Sequence, residues 1–86
     1  MADMETYTYT VHLDPAEEGG YVVTVPTLPG CITQGETYEE ALAMAEDCIR
    51  GFLKALVKAG QPIPREAEQR RPVDALVQVA FPASAA

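Results

Sequence analysis

The sequence lacks tryptophan and contains a single histidine and two cysteines among its 86 residues. Because there is one histidine and no CxxC pair, the spacing of zinc ligands is absent. Cys31 and Cys48 lie seventeen residues apart and do not suggest a disulfide framework. We expect both thiols to be reduced, with Cys48 a small core residue. GxxxxGK, HExxH and GxSxG motifs are also absent, so the sequence predicts no cofactor and no metal.

No apolar run approaches the roughly 20 residues that a membrane-spanning helix needs. Residues 1 to 5 have neither the basic start nor the apolar stretch of a signal peptide. We therefore expect a cytoplasmic protein that does not bind membranes. A chain this short suffices for one domain, and its hydrophobic content of 48% predicts that it folds.

Positive charge is missing from more than half of the chain. Residues 1 to 49 contain ten acidic side chains and no Lys or Arg, whereas residues 50 to 86 contain six basic and three acidic side chains. The net charge of -7 repels a phosphate backbone, so we expect no direct nucleic-acid binding. An acidic surface favours a basic protein partner, and the alternative is a solvated face that only aids solubility.

Alternation of apolar and polar residues predicts three strands in the first half. One face of the first strand, residues 5 to 13, carries large apolar side chains: Tyr7, Tyr9, Val11 and Leu13. The opposite face carries polar side chains: Thr6, Thr8, Thr10 and His12. A turn-rich segment leads to a second strand at residues 21 to 25, and a short third strand is predicted at residues 31 to 34.

A capping box predicts that a helix begins at Thr37. The Thr37 hydroxyl is expected to accept a hydrogen bond from the amide of Glu40, whose carboxylate accepts one from the amide of Thr37. Apolar residues then recur at spacings of three and four: Leu42, Ala45, Ile49, Phe52, Leu53 and Leu56. Gly60 is expected to end this helix of about 22 residues. Gly51 lies inside it, and we expect a strand to approach closely there.

The predicted order is β-β-β-α-β, an α+β fold with one long helix on one face of the sheet. Residues 65 to 71 are predicted to form a loop, residues 73 to 81 a last strand, and residues 83 to 86 a frayed tail after a domain at residues 1 to 82. The first three strands are predicted to be antiparallel, and the fourth to join in parallel after the helix. One helix leaves the other sheet face uncovered, which favours a homo-oligomer, a dimer or tetramer.

Several motifs in one order resemble the HicB antitoxin family. They are GGYVVTVP at residues 19–26, LPGC at 28–31, QGET at 34–37, Glu40-Ala41, and GQPIP at 60–64. The resemblance covers about residues 6 to 64 and implies a HicB-like domain with a partial ribonuclease H-like fold. One departure is Thr27, where many relatives have an acidic residue, so partner specificity is expected to differ.

Family members typically neutralise a HicA toxin, a small basic protein that cleaves messenger RNA. The resemblance therefore implies an antitoxin with a HicA-like toxin as its partner. Many members also have a C-terminal DNA-binding segment, which a sequence ending at Ala86 is expected to lack. The candidate partner-binding residues are acidic side chains for electrostatic steering and two anchors: Glu36, Glu39, Glu40, Glu46 and Asp47, with Tyr21 and Leu28. For Leu28 the alternative is a structural role, in which it fixes the loop before the third strand together with Pro26, Pro29 and Gly30.

Two other functions compete with this one. The first is an orphan, oligomeric HicB-like binding protein without a toxin. The second is a ribonuclease H-like nuclease, which needs several carboxylates converging on divalent ions. The middle of the first strand offers no carboxylate, and Glu46 and Asp74 do not complete such a cluster, so we predict that the protein is not an enzyme. His12 is expected to be structural or exposed to solvent.

Overall fold

The computed structural model describes residues 4–65 and 74–82. Its elements are β1 Met4–Pro15, β2 Tyr21–Thr24, β3 Ile32–Gly35, α1 Tyr38–Lys58 and β4 Ala75–Pro82. This order confirms the predicted β-β-β-α-β arrangement. Most of the predicted loop, residue 73 and the predicted tail lie outside the described residues. Among those that are described, no helix combines the length and apolar character needed to cross a membrane.

The four strands form one sheet in the order β3-β2-β1-β4. Both hairpin pairings are antiparallel, as predicted, and place Leu13 beside Val23 and Val23 beside Thr33. The prediction of a parallel fourth strand is wrong. β4 pairs with β1 in the antiparallel direction along its whole length, from Met4 beside Pro82 to Val11 beside Ala75.

The connection between α1 and β4 explains this difference. After the helix, the chain meets the first half of β1: the Tyr9 hydroxyl donates to the Pro64 carbonyl at 2.6 Å, and Arg65 lies 3.1 Å from Glu5. A strand entering at that end would run parallel to β1. β4 begins instead beside Val11, and the residues between Lys58 and Ala75 are numerous enough to reach that far end of the sheet.

Helix α1 packs on one face of the sheet, and the core lies between them. The four apolar side chains of β1 that were predicted to share a face are all buried. The helix contributes Ala41, Ala45, Ile49 and Leu53, which are each fully buried and four residues apart. The other face of the sheet has no covering element among the described residues. It is called the open face below, and it carries the exposed apolar residues Val22 and Ile32.

Gly35, the last residue of β3, allows the sheet to meet the start of the helix. A Cβ atom at Gly35 would lie 2.5 Å from the backbone nitrogen of Ala41, closer than real Cβ contacts. This atom belongs to the backbone of α1, so it cannot move aside as the end of a flexible side chain can. Gly51 has nothing within 4 Å of its Cβ position, so the expected close approach of a strand there is wrong.

Both helix ends are capped by local hydrogen bonds. The Glu40 amide donates to the Thr37 hydroxyl at 3.0 Å, as predicted. The Glu40 carboxylate, however, accepts from the Glu36 amide at 2.9 Å, one residue before the predicted donor. At the other end Ala59 is the C-cap and Gly60 adopts a φ of 73°. The amides of Gly60 and Gln61 donate to Val57 and Leu56, which forms a Schellman motif.

Replacing Gly35 and replacing Gly51 with alanine are expected to have opposite effects on the free energy of unfolding. Gly35→Ala forces β3 and α1 apart and lowers the free energy of unfolding by roughly 1–3 kcal/mol. Gly51→Ala removes an exposed helix-interior glycine and raises it by about 1 kcal/mol. Urea denaturation of both variants measures the two values. Equal stability of the two variants would contradict the close contact at Gly35.

Candidate partner-binding surface

A groove lies where the β1–β2 turn, the ends of β2 and β3, and the first turns of α1 meet. Its volume is about 430 Å³. We call it the acidic groove, and its lining residues are Ala16, Glu18, Gly19, Tyr21, Val22, Gln34, Gly35, Glu36, Glu40 and Met44. It brings together three of the predicted partner-binding residues, namely Tyr21, Glu36 and Glu40.

Glycines in the β1–β2 turn create one wall of the groove. Gly19 and Gly20 have φ angles of 100° and 76°, a left-handed region that favours glycine. The turn is closed by hydrogen bonds from the Gly19 amide to the Ala16 carbonyl and from the Ala16 amide to the Gly20 carbonyl, both 3.0 Å long. A Cβ at Gly20 would lie 2.7 Å from the Gly35 carbonyl oxygen. The turn therefore lies directly against the end of β3.

The groove is negatively charged. Its described lining includes Glu18, Glu36 and Glu40 and contains no Lys or Arg. All three glutamates are exposed to solvent. The positive end of the helix dipole stabilises carboxylates near the start of α1, so the fold tolerates this concentration of charge. The carboxylates at the groove remain available to a positively charged group.

Aromatic and sulfur-containing side chains give the groove an apolar component. Tyr21 is partly buried and makes an edge-to-face contact with Tyr38, with ring centroids 6.1 Å apart and an interplanar angle of 83°. Tyr38 and Met44 are both exposed large hydrophobic residues. The sequence analysis did not select Tyr38 or Met44. Both are large apolar residues in the first two turns of the helix predicted to begin at Thr37, and this position could have identified them.

The remaining acidic candidates lie outside the acidic groove. Glu39 and Asp47 are exposed on α1. Glu46 forms an ion pair of 3.1 Å with Arg50 one turn further on, which offsets its charge locally. The predicted acidic residues therefore fall into two sets. Glu36 and Glu40 line the groove. Glu39 and Asp47, called the helix set below, lie on α1 outside it, with Glu46 paired to Arg50.

Leu28 is fully buried, which makes it unsuitable as an anchor for a partner. Its exposed fraction is 0%. The Leu28 amide donates to the Val25 carbonyl, and the Cys31 amide donates to the Leu28 carbonyl, both at 2.9 Å. This tight turn directs the Leu28 side chain into the core. Of the two roles considered for Leu28 from the sequence, its burial supports the structural one.

His12 lies on the open face, where its Nε2 atom is 3.2 Å from Oδ2 of Asp74. The Asp74 side chain is fully buried, and 28% of the His12 side chain is exposed. The two carboxylates considered for nuclease chemistry thus have different partners, Arg50 for Glu46 and His12 for Asp74. Within residues 4–65 and 74–82, no three His, Cys, Asp or Glu side chains are grouped to hold a metal ion.

These features define a small α+β domain with one helix, an antiparallel four-stranded sheet and an acidic surface groove. The family described as "HicB_like antitoxin of bacterial toxin-antitoxin system" matches residues 9–79. The chain belongs to this HicB-like antitoxin family.

Similar sequences and a solved structure agree with this assignment. A UPF0150 protein of Thermoplasma acidophilum is 48% identical over 67% of this chain and 84% of its own length. The antitoxin HicB of Escherichia coli K12 is 49% identical over 48% of this chain, but the match covers only 30% of that antitoxin. The crystal structure of the N-terminal domain of Burkholderia pseudomallei antitoxin HicB matches with a TM-score of 0.68 at 21% identity. That match covers 86% of this chain and 96% of the domain, and it shows a shared fold. The ribonuclease H-like description stays a prediction.

Truncation of Leu28 is expected to affect stability in the absence of any partner. Leu28→Ala leaves a cavity beneath the turn and lowers the free energy of unfolding by roughly 2–5 kcal/mol. Urea denaturation of the isolated protein measures this loss, with the exposed Gln78→Ala substitution as a control that changes it little. Wild-type stability of Leu28→Ala would show that the side chain is not a core residue.

Proposed function

We propose that this chain is an antitoxin that binds a HicA-type, mRNA-cleaving toxin and neutralises it by protein–protein contact. Membership of the HicB-like antitoxin family supports the general role. The observation that carries the proposal further is the acidic groove, in which three glutamates and a tyrosine face solvent without a neighbouring Lys or Arg among the lining residues. Such a groove is suited to the basic side chains of a toxin.

Electrostatics and packing have separate roles in this proposal. Glu36 and Glu40, with the helix set Glu39 and Asp47, attract a basic protein over long range and accelerate the encounter. Once the partner has docked, an Arg or Lys side chain in the groove pairs with the glutamates while its apolar stem packs on Tyr21 and Met44. Aromatic residues often dominate the binding energy of interfaces, which makes Tyr21 the best anchor.

Binding without catalysis is part of the same proposal. The protein acts in the cytoplasm through contact with the toxin and does not itself hold nucleic acid, which its net charge of -7 repels. Co-expression with a candidate toxin followed by affinity purification tests whether a complex forms and gives its stoichiometry. If the chain is an orphan binding protein, the toxin does not co-purify with it and keeps its mRNA-cleaving activity.

Neutralising the groove is expected to weaken toxin binding more than neutralising other acidic residues. The triple variant Glu18→Gln, Glu36→Gln and Glu40→Gln retains side-chain hydrogen-bond acceptors and is expected to raise the dissociation constant about 10-fold or more at low salt. The matched control is Glu17→Gln, Glu39→Gln and Asp47→Asn, which removes the same charge from exposed positions outside the groove.

The control is expected to slow association modestly and to leave dissociation unchanged, because it alters only the long-range field. Surface plasmon resonance at two salt concentrations separates the two rate constants. Equal losses of affinity in both triple variants would show that total charge matters and that the groove is not the contact site.

Self-association through the open face is a second part of the proposal. Ile32 and Val22 are 63% and 39% exposed on this face, and burying them against a second copy removes apolar surface from water. The domain is small and its own core is limited, which favours stabilisation by a second chain.

Replacing Ile32 with a charged residue is expected to dissociate the oligomer. Ile32→Glu places a charge in the proposed interface, whereas Ala55→Glu places the same charge on an exposed part of α1. Light scattering coupled to size-exclusion chromatography is expected to give a dimer or tetramer for wild type and Ala55→Glu, and a monomer for Ile32→Glu. A wild-type mass equal to one chain would overturn this part of the proposal.

A further inference from the structure

Two thiols that are far apart in the sequence lie together in the fold. The Sγ atoms of Cys31 and Cys48 are 3.1 Å apart, and both cysteines are free. Cys31 directly precedes β3, and Cys48 lies in the middle of α1. The packing of the helix against β3, which depends on Gly35, brings the two side chains into contact.

The separation is close to that needed for a bond between the sulfurs. A disulfide has an S–S length of about 2.0 Å, so the two atoms have to approach by only about 1 Å. Rotation about the side-chain torsions of the two cysteines moves the sulfurs along this path.

The two thiols differ in accessibility, which assigns them different roles. Cys31 is 2% exposed, whereas Cys48 is partly accessible to solvent. Burial, together with the hydrogen bond to Cys48, raises the pKa of the Cys31 thiol to about 12. Cys48 is therefore the thiol that an oxidant from solution reaches first, and Cys31 is the thiol that reacts with the oxidised Cys48.

We propose that Cys31 and Cys48 form an oxidation site, at which a peroxide converts the dithiol into an intramolecular disulfide. This site is independent of toxin binding. Disulfides in cytosolic proteins are usually transient, so the reduced pair is the resting state and the disulfide is its oxidised form.

The reaction balances with hydrogen peroxide as the oxidant. The Cys48 thiolate attacks one peroxide oxygen, the O–O bond breaks, and the departing hydroxide is protonated to water, which leaves a sulfenic acid on Cys48. The Cys31 sulfur then attacks the Cys48 sulfur, the S–O bond breaks, and the leaving hydroxide takes the Cys31 proton to form a second water. Two thiols are oxidised by two electrons in total, and one peroxide is reduced to two waters.

The disulfide connects the start of β3 to the middle of α1 and closes the chain between residues 31 and 48. Cross-linking restricts the unfolded chain and raises the melting temperature. For a domain of this size we expect an increase of about 10–25 °C on oxidation, reversed by a thiol reductant.

The test uses the reduced full chain treated with one equivalent of hydrogen peroxide. Intact mass is expected to fall by two hydrogens, titratable thiols to fall from two to none, and a non-reducing digest to contain a peptide linking Cys31 to Cys48. The melting temperature is measured on the same samples before and after reduction.

Two serine variants separate the roles of the cysteines. Cys31→Ser is expected to accumulate a sulfenic acid on Cys48 that reacts with dimedone, because no neighbouring thiol resolves it. Cys48→Ser is expected to keep its buried thiol unmodified under the same conditions. The proposal is overturned if wild type keeps two titratable thiols, if oxidation joins two chains to each other, or if Cys48 is oxidised further without forming the link.

Discussion

The contact between the end of β3 and the start of α1 is the constraint on which the rest of the structure depends. Gly35 lies against the Ala41 backbone with no space for a Cβ atom, and a Cβ atom at Gly20 would lie 2.7 Å from the Gly35 carbonyl oxygen. These contacts fix the helix on the sheet, bring the β1–β2 turn against β3, and align Cys48 with Cys31. The acidic groove and the thiol pair are therefore two consequences of one backbone approach.

The charged side chains of α1 are unevenly distributed along its length. Glu36, Glu39 and Glu40 lie at the start of α1, where the helix dipole favours negative charge. Arg50, Lys54 and Lys58 follow further along the helix. A second groove near the helix end is lined by these three cations together with Met4 and Phe81. The fold thus converts an uneven distribution along the sequence into opposite charges at opposite ends of one helix.

Local signals predicted most of the fold, and long-range relations explain what they missed. The alternation of apolar and polar residues in β1 and the cap at Thr37 depend on residues that are close in the sequence. The buried face of β1 and the start of α1 could therefore be predicted. The direction of β4 depends on how the long connection after Lys58 crosses the sheet, which periodicity does not encode. The burial of Leu28 and the contact between Cys31 and Cys48 depend on which element packs above each residue.

The difference between local and long-range relations also determines how much family membership says about the candidate site. A HicB domain at 21% identity shares this fold, and a shared fold does not by itself define the residues of a binding site. The proposed partner surface depends on exposed side chains, and in this chain it includes Met44, which lines the groove outside the motifs that carry the resemblance. Tyr38 lies beside the groove, in contact with Tyr21. Under the proposed function, a basic partner is attracted to the acidic groove and repelled by Arg50, Lys54 and Lys58 further along α1. The charges of the helix then favour one orientation of the partner before any side chain makes contact.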